Sequence, residues 1–224
     1  MPVIVDQFKD VLKSSTGKRL IVGSAAAIAL ILSLSSIKEE PPRLNPTFNT
    51  YLPQLKMQGG DPYIRALMRT ISASEANDRR PYTILYGGQH VSDLSRHPEQ
   101  CITIISGPNK GNCSTAAGRY QMLNTTWQEK AQRYHPQPPG FRFWASYSFE
   151  PEFQDAVVYA WLSDSQAWGT DISKLLRQGK FQQVQKLLSR TWTSIGYGIE
   201  DNSITKRLPA IYRQMLQEEL QATG

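Results

Sequence analysis

The chain is predicted to fold as an α+β protein, mostly helical with a small antiparallel sheet, preceded by one N-terminal transmembrane helix. Three observations carry this reading. Apolar residues recur at helical spacing over several stretches from residue 62 onward, two short β-type stretches are bracketed by turn residues, and one long run near the N-terminus is free of charge. With 224 residues, 40% of them hydrophobic, the chain can build one domain with a substantial core, but hardly two large ones.

The uncharged run is Leu20 to Ile37, long enough to span a bilayer as a helix. Lys9, Lys13, Lys18 and Arg19 precede it, so the positive-inside rule puts residues 1–19 in the cytoplasm as a basic segment and the rest of the chain outside. Residues 20–37 are therefore expected to be a signal-anchor. A cleaved signal peptide is the alternative, with Ser33 and Ser35 as the small residues before the cut. Gly23, Ser24, Ala25, Ala26, Ala27 and Ala29 make the anchor a weak one, suited to release or to close helix contact. Residues 38–60, with Pro41, Pro42, Pro46, Pro53, Gly59 and Gly60, read as a linker, and 61–224 as the main domain.

Asp61 followed by Pro62 opens the first helix of that domain, and Asn77, Asp78 and Pro81 stop it. Ile64, Leu67, Met68 and Ile71 define its apolar face. Glu75 follows Ile64 by eleven residues, which at about 100° per residue returns it to within about 20° of the same direction. A carboxylate on the buried side in a helix's last turn is expected to have a raised pKa, as a general acid requires. Periodicity alone leaves open a partly solvated glutamate at a fraying helix end.

Beyond this helix, Tyr82 to Tyr86 and Gln89 to Val91 flank Gly87 and Gly88 as a hairpin, and Cys101 to Cys113 reads as another. Outside the cytoplasm the two cysteines are expected to form a disulfide, and two thiols so spaced, without partner ligands, do not suggest a metal site. Thr126 with Glu129 makes a capping box for a helix to about Tyr134; further helices are expected over Glu150–Ala167, Asp171–Gln178, Phe181–Trp192 and Ile204–Leu220, the last interrupted at Pro209. Trp127, Trp144, Trp161, Trp168 and Trp192 are expected in the core. The net charge of +6 favours an acidic partner, but the basic residues are scattered, so no nucleic-acid partner is expected. No cofactor is implied, and a monomer is expected.

A run of motifs resembles one family. Ala73, Ser74, Glu75, then Tyr82–Gly88, Ser92–Pro98 and Ser114–Leu123, then Phe149, Gln154–Val157 and Trp192, Ser194, Gly196–Gly198, follow one another as in the lambda-type phage endolysins. The resemblance runs from about Tyr63 to Tyr212. It implies a lysozyme-like fold and a lytic transglycosylase acting on the glycan strands of peptidoglycan, outside the cytoplasmic membrane. By the same resemblance Glu75 is the single catalytic acid/base.

Hydrolysis would need a second carboxylate as nucleophile or base. Where the family has Asp just after the hairpin tyrosine this chain has Thr83, leaving Asp78 and Asp93 as candidates. Asp93 either takes part in the site or braces its turn. Gln121 is a candidate for the substrate's acetamido groups or for orienting Glu75, against a buried amide bonding backbone. Tyr120 and Tyr197 are candidates for sugar stacking or hydrogen bonding, against core packing. Arg119 is a candidate for the substrate's carboxylates, against pairing with a helix end. A muramidase-type hydrolase and an inactive wall-binding module are the alternatives.

Overall fold

The computed structural model describes residues 52–137, 146–197 and 204–222. The basic segment, the anchor over 20–37, most of the linker and Trp144 lie outside the described residues. Among the described residues no helix is long and apolar enough to cross a membrane.

The first helix, α1 (Pro62–Glu75), starts and stops where the sequence predicts. The Asp61 carboxylate accepts the Tyr63 N–H at 2.9 Å, and Pro62 occupies the first turn. Asp61 also receives hydrogen bonds from Ser173 and Arg177, which tie this helix start to another helix. The prediction of one apolar face is too modest: from Ala66 to Ser74 every residue is buried. The polar side is covered by α7 (Leu208–Ala222). Arg69, only 1% exposed, pairs with Glu218 at 2.6 Å and Glu219 at 3.1 Å, and Arg65 reaches Glu219 at 2.5 Å. Charges can be buried between two helices only when so paired.

The sheet is smaller than predicted. β1 (Ile102–Thr103) pairs antiparallel with β2 (Cys113–Ser114), Ile102 opposite Ser114. The hairpin expected over 82–91 is present but short: after a 3-10 turn, Pro81–Thr83, Ile84 bridges His90 around Gly87 and Gly88, the Leu85 and Val91 N–H groups donate to the Gln89 and Thr83 carbonyls at 2.7 and 2.9 Å, and Leu85 also bridges Ala117. Tyr82 belongs to the 3-10 turn rather than to the hairpin, with its hydroxyl turned inward to donate to Asp155 at 2.7 Å.

The predicted helices are present with changed ends. The capping box at Thr126 does not form, because α2 (Asn124–Tyr134) begins two residues earlier and the Thr115 hydroxyl accepts the Asn124 N–H from across the chain at 3.2 Å. The long helix expected over 150–167 breaks into α3 (Pro151–Ser163) and α4 (Ser165–Trp168). Asp164 causes the break by accepting the Gln166 and Ala167 N–H groups at 2.9 and 3.2 Å. α5 (Ile172–Arg177) follows its Asp171 cap, and α6 (Phe181–Leu188) ends four residues before Trp192. Pro209 does not interrupt α7; it stands in its first turn, where no N–H is needed.

The linker's last residues lie against the domain. Leu55 is buried, and the Lys56 N–H donates at 2.6 Å to Asp155, a carboxylate of α3 with no exposed surface. Asp155 also accepts the Tyr82 and Tyr120 hydroxyls at 2.7 and 2.6 Å, so α3, the 3-10 turn, the following loop and the strap over 52–57 meet on one carboxylate. Burial, and then that carboxylate, push both phenols well above the ordinary tyrosine range.

His97 is likewise enclosed. Its Nδ1 accepts the Glu99 N–H at 3.1 Å, which leaves the hydrogen on Nε2 to donate to the Met122 carbonyl at 2.9 Å. Burial pushes its pKa below the ordinary value, partly opposed by Met122 and Glu99. A histidine whose folded pKa is depressed binds its proton more readily when unfolded. Its contribution to stability is therefore complete above the unfolded pKa of about 6.5 and is lost as pH falls through the folded one. Urea unfolding from pH 8 downward should show a stability loss beginning near pH 6.5, and His97→Gln should remove that step; an unchanged step would assign it to another group.

Candidate active site

Where α1 ends, a cleft of about 690 Å³ opens. Ser74 and Glu75 form its head. Residues 104–114 of the β1–β2 hairpin form one wall, and Thr191, Trp192, Thr193 and Ser194 form the other, with Tyr86, Gln121 and Leu123 between them.

Glu75 is half-buried, and its position is held from the far end of the sequence. The Ser194 hydroxyl donates to Glu75 Oε1, and the Ser74 hydroxyl lies 2.9 Å from both the hydroxyl and the carbonyl of Ser194. Thr205 Oγ1 donates to that same carbonyl at 3.0 Å. Ser194 sits in a 3-10 turn, Thr193–Ile195, which ends at Gly196 with φ of 99°. A Cβ at Gly196 would stand 2.5 Å from the Thr205 methyl carbon, so glycine is required for the turn to lie this close to Thr205.

The Gly118 to Gln121 motif divides between core and cleft. Gly118 has φ of 73°, and a Cβ there would fall 2.3 Å from the side-chain oxygen of Gln154. That oxygen accepts the Arg119 N–H at 2.9 Å. Arg119 and Tyr120 point away from the cleft and are 0% and 1% exposed. The Arg119 guanidinium donates to the Pro53 and Gln54 carbonyls at 2.6 and 2.9 Å and to the Tyr82 hydroxyl at 2.7 Å, clamping the strap to the domain. Neither is brought to the cleft as a substrate contact. Gln121 does line it, with φ of 44°, while its amide nitrogen donates to the Gly118 and Ile84 carbonyls at 3.0 and 3.3 Å.

The other candidates lie elsewhere. Asp93 closes its own turn, accepting the Ser95 N–H at 2.9 Å, and the hydroxyl and amide of Ser95 hold its carboxyl below the usual range. It borders a separate hollow with His90 and Arg96. Asp78 accepts the Arg80 N–H at 2.6 Å and lies 3.7 Å from His90, outside the cleft lining. Tyr197 is 62% exposed and does not line the cleft. Among the described residues, Glu75 is thus the sole carboxylate on the cleft walls.

Sequence reasoning missed Ser194 as Glu75's partner, since nothing in local spacing links residues 119 positions apart. Trp192, expected in the core, is buried and yet borders the cleft, its indole N–H donating to the Tyr120 carbonyl at 3.0 Å. The expected disulfide between Cys101 and Cys113 is present, with Cα atoms 5.3 Å apart, and Cys113 is part of the cleft wall.

A sequence model described as Endolysin matches residues 65–218. The chain belongs to the Endolysin family. Within that family, the endolysin of Escherichia phage lambda is 28% identical over 120 residues, which are 52% of this chain and 64% of the relative. The chain thus matches a little under two thirds of that relative's length. Two solved structures share the family chain's fold. Bacteriophage lambda lysozyme complexed with a chitohexasaccharide aligns with a TM-score of 0.52 at 24% identity, over 71% of this chain and 97% of that one. A second structure, lysozyme from bacteriophage lambda, gives 0.51 at 22% identity with the same coverage. The fold is therefore lysozyme-like.

The hairpin wall of the cleft has a two-residue ladder, continued by the Ile104 hydrogen bonds with Asn112 and Gly111 at 2.8 and 2.9 Å, and the disulfide closes its base. Replacing both cysteines by serine should lower unfolding stability by about 2–3 kcal/mol in a denaturant titration, as expected for a loop of about a dozen residues. A loss below about 0.5 kcal/mol would mean that the hairpin is held by its contacts alone.

Proposed function

We propose that this chain cleaves the glycan strands of peptidoglycan as a lytic transglycosylase, with Glu75 acting first as acid and then as base. The observation that carries the reading is the sole carboxylate among the described cleft residues. Retaining and inverting hydrolases use two carboxyl groups, about 5–5.5 Å or 6.5–9.5 Å apart. Family membership and the relative's complex with a chitohexasaccharide support a glycan substrate.

The chemistry needs one group that gives a proton and takes one back. Protonated Glu75 gives its proton to the oxygen joining N-acetylmuramic acid to N-acetylglucosamine as the bond to muramic C1 breaks, releasing the 4-hydroxyl of the second sugar. The carboxylate then takes the proton of the muramic C6 hydroxyl. That oxygen bonds to C1, closing a 1,6-anhydro ring, and Glu75 is again protonated. No water is consumed. Ser194 fits this cycle as a positioning residue whose hydroxyl fixes one carboxyl oxygen. Gln121 remains a candidate for an acetamido group from the cleft wall.

Action outside the cytoplasmic membrane is supported by the uncharged run over 20–37 and by the disulfide.

Mass spectrometry of digested peptidoglycan should find anhydro-muramic ends from the unaltered protein and none from Glu75→Gln. Ser194→Ala should keep the same product at about one tenth to one hundredth of the rate, the loss expected for a hydrogen bond to a charged group. Reducing ends from the unaltered protein would assign a hydrolase instead, and anhydro ends persisting in Glu75→Gln would refute the role given to Glu75.

A further inference from the structure

A second cavity, of about 560 Å³, lies between the C-terminal half of α2 and the corner where α3 turns into α4. Its floor is aromatic. Trp161 and Trp168 stack with ring centres 5.1 Å apart, and Trp168 stacks in turn on Trp192 at 6.5 Å. Trp192 borders the Glu75 cleft, and Thr191 lines both cavities, so the second opens beside the first.

The rim has charges but no excess of either sign. Lys130 pairs with Glu129 and Arg133 with Asp164, each at 2.6 Å, and the Tyr134 hydroxyl donates to Asp164 at 2.8 Å. Lys130 Nζ also stands 4.5 Å above the Trp161 ring, which covers that indole, whereas Trp168 is half-buried on the cavity wall. A strongly charged ligand would find each countercharge already engaged. A neutral sugar, with apolar ring faces and hydroxyl edges, matches an indole bordered by planar polar groups. None of these residues has a part in the chemistry at Glu75.

We propose that this groove is a remote glycan-binding site, holding sugars of the strand whose scissile bond lies at Glu75. The assignment rests on the glycan-cleaving reading above. It makes Trp168 the stacking platform and Arg133 an edge contact, so that long strands bind more tightly than those that fill the cleft alone.

The test uses the Glu75→Gln full chain, which should bind without cutting, titrated with N-acetylglucosamine oligomers of increasing length and with long glycan strands stripped of their peptides. Tryptophan fluorescence reports binding. Affinity should rise with length, and Trp168→Ala or Arg133→Ala in the same background should weaken long-strand binding by about tenfold. Arg133, with 57% of its side chain exposed, covers the case in which loss of Trp168 disturbs the stack on Trp192. Equal affinity for short and long strands, or long-strand binding unchanged in both variants, overturns the proposal even while the unaltered protein cuts peptidoglycan. A gain seen only when strands keep their peptides overturns the assignment to sugar. If the unaltered protein neither cuts peptidoglycan nor binds any glycan, both readings fall.

Discussion

A helix with almost no solvent-facing side has little freedom in where its last residue falls. From Ala66 to Ser74, α1 is enclosed, chiefly by α7 and also by α3, α5 and the turn that carries Ser194. Asp61 fixes its start, and the Arg65 and Arg69 pairs with Glu218 and Glu219 fix it against α7. Glu75 therefore comes out of the core at a set height and direction, into the cleft. The carboxylate is placed by packing, and the Ser194 hydroxyl holds one of its oxygens.

Two buried polar centres organise the surroundings. Asp155 gathers Tyr82, Tyr120 and the Lys56 N–H, and Arg119 extends the set to the carbonyls of Pro53 and Gln54. Removing one member of such a set leaves others buried without partners, which costs more than a single hydrogen bond is worth. This accounts for a motif that reads as substrate-binding in the sequence. Gly118 allows a close approach to Gln154, Arg119 and Tyr120 hold the strap and α3, and only Gln121 reaches the cleft.

The sequence carries the placement of α1, its cap and the direction of Glu75, because helical period and capping are local. The disulfide was legible for a related reason, as two cysteines at the ends of one turn-rich segment. Helix ends were less so: Asp164 splits α3 from α4 by capping in mid-pattern, and Thr115 starts α2 from outside it. What could not be read were contacts closed by the fold. Ser194 meets Glu75 across 119 positions, and Arg119, a candidate for the substrate's carboxylates or for a helix end, is buried with carbonyls from the strap receiving it. Asp93 and Tyr197 carry sugar-binding chemistry in their side chains, yet neither residue lines the cleft.

With one carboxylate among the described cleft residues, the central claim is that Glu75 works alone and that the attacking oxygen comes from the sugar itself. Digestion of peptidoglycan in oxygen-18 water tests this most directly, because only a water-dependent reaction places solvent oxygen on the new glycan end. Mass spectra of the released muropeptides should show anhydro ends with no oxygen-18 incorporated at C1. Stoichiometric incorporation would contradict the account and require a second group to activate water.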